Sequence, residues 1–175
     1  MSERPLETEY ARPYAAYVSL VPEVDVLSVL ENQVVEVRLR AAAVPAERET
    51  YRYAPGKWTI REVFGHVVDA ERVFGYRAFC VSRGEQAPLP GFDEKEYVAR
   101  SEFGWCSLAE LVTEFATVRE SSLAVLRRLD HAGWQRFGNA NGTSISVRAL
   151  AYIMAGHVRH HLGVLRARYN APAAS

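Results

Sequence analysis

Gly156-His157-Val158-Arg159-His160-His161-Leu162-Gly163-Val164-Leu165 holds three of the chain's five histidines in a mostly apolar stretch. The spacing predicts a helix, with Leu150, Met154, His157, His161 and Leu165 on one stripe at intervals of four, three, four and four. His157 and His161 therefore stand one turn apart on the same face. A face that also carries leucine and methionine looks inward, so two imidazoles enter a helical core. Spacing alone leaves two readings open. They are half of a metal site, or core histidines satisfied by hydrogen bonds.

Three more long helices read outward from this one. The first runs from about Val24 to Ala43, with Val26, Leu27, Leu30, Val34, Val37 and Leu39 mostly at helical spacing, and Pro45 ends it. The second starts at Thr59-Ile60-Arg61-Glu62, a capping-box sequence, and continues to about Arg83, with Gly84 as its stop. A crossover over residues 84–106 holds Pro88, Pro90, Gly91 and Gly104, and Gly91 to Tyr97 has room for a short helix. A connection of this length is either a binding loop or simple transport across the end of a bundle. The third helix opens with a second capping box, Ser107-Leu108-Ala109-Glu110, and runs to about Asp130. Residues 133–142 read as a loop, and the last helix spans about Ser146 to Tyr169. No run reads as a strand. The expected fold is all-α, a four-helix bundle with a long crossover between the second and third helices, in one domain over 1–175.

Composition narrows the function. Lys+Arg and Asp+Glu both total 21, so the formal net charge is zero, which argues against general nucleic-acid binding. Cys80 and Cys106 have no metal or redox spacing and read as small buried hydrophobes. No stretch reads as a signal peptide or membrane span, so the expected location is cytoplasmic.

A third histidine joins the pair. His66 replaces an apolar residue on the inward stripe of the second helix, among Val63, Ala70 and Val73. Each buried imidazole needs a polar partner, and one shared cation would satisfy all three. His160, three residues from His157, is also at a permitted ligand spacing, but it lies about 100° around the wheel from His161, at the edge of the stripe, so stripe position favours His161 over His160. Glu62 and Asp69 flank His66 by one turn on either side and are candidate bases or orienting groups, although Glu62 also serves the capping box. Arg77 follows on the same stripe. It is a candidate for a substrate carboxylate or for an internal acid.

With these residues in place the chain resembles the DinB/YfiT-like family of metalloenzymes. The resemblance rests on Lys57 to Val63 leading into Gly65-His66-Val67-Val68-Asp69-Ala70-Glu71-Arg72, then Arg77, Pro90 to Asp93, Glu114-Phe115 with Arg119, Arg136 to Gly138, and Gly156 to Leu165. It implies a four-helix bundle holding a divalent metal on His66, His157 and His161. It also implies relatives that are thiol-dependent S-transferases and isomerases. Many relatives carry Arg-Gly-Gln after the last histidine, where this chain has Leu162-Gly163-Val164. Imidazole suits Zn, Ni and Fe alike, so the ligands do not choose the metal. The expectation is an enzyme that activates a thiol or water for S-transfer or hydrolysis on a small electrophile. Its partners would be a small-molecule substrate, a low-molecular-weight thiol and a second copy of the chain, with no nucleic acid and no membrane. The alternative is a non-catalytic metal-binding or stress-response bundle acting through its surfaces, to which the tyrosine-rich connector Tyr51 to Tyr53 would contribute.

Overall fold

The two capping boxes form as read. Thr59 Oγ1 accepts from the Glu62 amide at 3.1 Å while Glu62 Oε2 accepts from the Thr59 amide at 2.6 Å, and Ser107 with Glu110 repeats the pattern. The computed structural model describes residues 3–169, so the expected domain over 1–175 extends outside the described residues at both ends. In chain order the helices are α1 (Ala15–Ser19), α2 (Val26–Ala42), α3 (Ile60–Ser82), α4 (Glu94–Arg100), α5 (Leu108–Leu126), α6 (His131–Trp134) and α7 (Val147–Tyr169). Strands β1 (Phe137–Ala140) and β2 (Thr143–Ser146) join α6 to α7. No described helix is long and apolar enough to cross a membrane.

Four long helices make the bundle. α2 and α3 each pack against both α5 and α7, so α2 and α3, consecutive in sequence, face each other across a diagonal. α1 lies across α7. The apolar core falls into two clusters. One holds Leu30, Phe74, Leu123 and Ile153; the other holds Val37, Val67, Phe115 and Leu162.

Between them runs a polar layer. Arg119 on α5, with no exposed surface, donates from Nε and Nη2 to both carboxylate oxygens of Glu71 on α3, at 2.8 and 2.7 Å. Its Nη1 donates to the Leu30 carbonyl and to Gln33 Oε1 on α2, both at 2.9 Å. Gln33 Nε2 completes the circuit to the Ala155 carbonyl of α7 at 2.7 Å. One guanidinium thus ties the four helices into a single register. A charge withdrawn from water needs such a complete set of partners.

The hairpin departs from the expected loop at 133–142. β1 and β2 are antiparallel, and Asn141 and Gly142 form the turn with φ of 54° and 74°. Positive φ at both positions marks the mirror-image turn that suits a twisted hairpin, and Asn-Gly is its favoured pair. The hairpin also takes hold of the crossover. The Leu89 amide donates to the Asn139 carbonyl at 2.9 Å, and the Asn141 amide donates to the Leu89 carbonyl at 3.0 Å. The tyrosines of the connector are turned inward: Tyr51 and Tyr53 stand edge-on to Tyr169 with ring centroids 6.2 and 5.0 Å away.

Glu71→Leu leaves the Arg119 guanidinium buried without its counter-charge and should cost about 3–5 kcal/mol in urea unfolding. The double variant Arg119→Leu with Glu71→Leu should cost clearly less than the sum of the two single variants. Additive losses would show that the pair is not the coupling element.

Candidate metal centre

α3 and α7 bring three imidazoles together beside the polar layer. His66 Nε2 lies 3.0 Å from His157 Nε2. The ring centroids of His66, His157 and His161 are 4.4–4.9 Å apart, and one nitrogen from each lies within 4.8 Å of the others. Two nitrogens on a common cation at about 2.1 Å stand roughly 3.0–3.4 Å apart, depending on its geometry, so the His66–His157 spacing fits the lower end of that range. The chemistry of the donors fits as well. Burial pushes the His66 imidazole down to about 4, with nearby His160 adding to it. Burial first, then His66 and His160, brings His161 down to about 3. His157 is held well below its ordinary value by burial, then by the other histidines and by Arg119. All three are therefore neutral at pH 7, the form that binds a metal. His66 Nδ1 is buried and has no hydrogen-bond partner.

Two glycines allow the close packing around the ligands, each one residue before a histidine. A Cβ on Gly156 would sit 2.0 Å from the Tyr17 carbonyl oxygen, so only glycine lets the α1 backbone rest on α7 there. Tyr17 then meets His157 and His160 edge-on at 5.4 and 5.5 Å. A Cβ on Gly65 would lie 2.4 Å from the Phe103 ring, so glycine there lets that side chain rest on α3. Trp58 covers the His66 ring at 4.8 Å, its carbonyl held by the Tyr169 hydroxyl at 2.7 Å.

The histidines open onto a cavity of about 350 Å³. Its walls carry Tyr14, Tyr17, Phe74 and Phe92, with Arg77, Glu94 and Asn141 as polar groups beyond the imidazoles. This size falls at the lower end of the range of small-molecule sites. The crossover is thus part of the wall, contributing Phe92 and Glu94, and the hairpin turn contributes Asn141. Of the two readings of the crossover, the binding-loop one agrees with this wall, whereas the sequence does not mark Glu94 or Asn141 as lining residues. The signal available was Asn141-Gly142, which marks a two-residue turn even between unremarkable strands.

The other singled-out residues separate. His160 is exposed at the cavity rim and stacks edge-on against His161 at 4.9 Å. Arg77 lines the cavity, buried to 3% exposure. Glu62 and Asp69 do not line it. Glu62 is taken up by the cap of α3, and Asp69 lies 4.0 Å from Arg72 on the side of α3 that meets α5. Burial raises the Asp69 pKa; Arg72 opposes that shift and Glu114 adds to it.

The DinB superfamily model matches residues 30–165. Among solved structures, YfiT from Bacillus subtilis, described as a probable metal-dependent hydrolase with an unusual four-helix bundle topology, superposes with a TM-score of 0.72 at 17% identity, covering 93% of this chain and 89% of that one. The mycothiol-dependent maleylpyruvate isomerase superposes with a TM-score of 0.66 at 14% identity, covering 85% of this chain and 62% of that one. No curated protein sequence matches the chain.

Two predictions follow from the packing and the burial. Gly156→Ala should cost about 1–3 kcal/mol in chemical denaturation, because the Tyr17 backbone must move away. Without metal, the unfolded chain takes up protons on these histidines below about pH 6.5 while the folded chain does not, so folding stability is fully present above that pH. It should fall as pH drops from about 6.5 through about 4 and then about 3, by up to about 1.4 kcal/mol per pH unit for each proton. His161→Leu should flatten this dependence in urea titrations of metal-free protein between pH 7 and 5. An unchanged slope would contradict the burial of a neutral imidazole at that position.

Proposed function

This chain belongs to the DinB superfamily, and on that premise we propose that it is a metal-dependent enzyme acting on a small electrophile, with His66, His157 and His161 as ligands of a divalent cation. One observation carries the reading: three neutral imidazole nitrogens, within 4.8 Å of one another, face a cavity large enough for a small molecule. A divalent cation held there would supply Lewis acidity, lowering the pKa of a water or thiol, and three neutral ligands leave its double charge undiminished.

Of the two reactions, transfer of a thiol is favoured over hydrolysis by the cavity wall. Hydrolytic sites of the His-Glu-x-x-His kind set a glutamate beside the ligands as general base. Here, among the described residues, the only carboxylate lining the cavity is Glu94, exposed at the start of α4. Burial, then Glu94 and Tyr14, raises the Tyr17 pKa, so its hydroxyl keeps its proton and acts as a donor at the cavity wall. A low-molecular-weight thiol as cosubstrate needs no protein base once its pKa is lowered. The isomerase named above uses mycothiol by its description, which lends the thiol route a structural parallel.

Elemental analysis of untagged protein tests the centre. One divalent ion per chain is expected in the wild type, with loss of retention in His66→Ala and in His161→Ala and unchanged stoichiometry in His160→Ala. Unchanged metal in both ligand variants would overturn the assignment. A screen pairing low-molecular-weight thiols with electrophiles, run beside ester and amide substrates, then separates transfer from hydrolysis. Turnover that needs the thiol supports the reading, and thiol-independent hydrolysis replaces it.

A further inference from the structure

Three arginines are buried: Arg77, Arg119 and Arg148. Arg119 is held by both oxygens of Glu71, and Arg148 by both oxygens of Glu9. Arg77 differs. Its Nη2 donates to the Pro90 carbonyl at 2.7 Å, and among the described residues no carboxylate lies within 4.0 Å of it. A buried guanidinium without a counter-charge is costly unless something supplies the anion.

The anion has a place to come from. Arg77 lines the cavity of the three histidines, and Arg77 and His157 both neighbour the Phe74 ring, which is 5.8 Å from the Arg77 guanidinium carbon and 5.7 Å from the His157 ring. Asn141 on the same wall offers an amide, and Tyr14, Phe74 and Phe92 offer apolar surface. The hairpin's grip on Leu89 places Pro90, and Pro90 in turn holds one edge of the guanidinium, leaving the rest of the fork for a ligand. A planar guanidinium fixed in this way matches a carboxylate in two-point contact.

We propose that Arg77 anchors a carboxylate of the substrate, so that the compound presented to the histidine centre is a small organic acid whose reacting group lies away from its carboxylate. This deepens the function proposed above and rests on it for the reacting end only; the anchor itself is testable without metal.

Benzoate and its neutral counterpart benzamide are the probes, titrated by calorimetry into metal-free protein at pH 7, so that a cation cannot bind the carboxylate. Wild type should prefer benzoate by roughly tenfold or more, about 1.4 kcal/mol. Arg77→Met should abolish the preference, and Arg77→Lys should keep a weaker one, since a point charge remains without the fork. Near-UV circular dichroism reports whether each variant keeps its packing; if Arg77→Met does not fold, wild type against Arg77→Lys decides. No benzoate preference in wild type overturns the proposal. So does a full preference surviving in folded Arg77→Met, or in Arg77→Lys where that variant decides. Metal retention is read separately on the histidine variants, so either proposal can fail alone.

Discussion

A guanidinium placed at the centre of a helical bundle constrains everything around it. Arg119 is satisfied only when α3 presents Glu71, α2 presents Gln33 and the Leu30 carbonyl, and α7 presents the Ala155 carbonyl to Gln33, all at one level. These partners come from residues 48 to 122 positions apart in sequence. Apolar side chains tolerate slips and rotations among themselves, whereas a buried charge does not. The three clustered histidines lie next to that level: His66 lies five residues before Glu71 on α3, and His157 lies two after Ala155 on α7. A slip of α7 by one residue would turn its face by about 100° and take His157 from the centre. The ion pair therefore sets the register on which the histidine geometry depends.

The centre works against stability in the metal-free protein only as pH falls. Burial first, then the neighbouring histidines and last Arg119, holds His157 neutral, and burial likewise lowers His66 and His161. An ion that requires neutral nitrogens would offset that loss, because binding adds its own free energy to the folded state. Glycine before His66 and before His157 removes the side chain that would hold Phe103 and Tyr17 away from α3 and α7, and Tyr17 then stands edge-on to the His157 ring.

Much of this was legible in the sequence, and the reason is locality. The four long helices declare themselves by periodicity within a window, the two capping boxes by residues three apart, and the histidine pair by a spacing of one turn. His66 was found because an ionisable residue stood in an apolar stripe. What the residues alone did not show depends on contacts between distant segments. Glu62 and Asp69 share a turn with His66, yet Glu62 folds back onto its own helix end and Asp69 faces α5. Arg77 carries no local mark of lacking an acidic partner. The hairpin escaped because Phe-Gly-Asn-Ala and Thr-Ser-Ile-Ser are short and barely alternate; its identity lay in the turn between them.

The parts of the cavity come from different parts of the chain. The three histidines sit on α3 and α7, inside the bundle, where the Arg119 register holds them. Much of the wall comes from outside it: Tyr14 and Tyr17 from the N-terminal segment, Phe92 and Glu94 from the crossover, Asn141 from the hairpin turn. A connection pinned by two backbone hydrogen bonds can change its side chains without disturbing the core. Arg77 joins the two regions, since it grows from a bundle helix but is steadied by Pro90 of the crossover. The histidine cluster and the cavity wall are thereby built on separate supports, and a change of wall residues reshapes the cavity while leaving the three imidazoles in place.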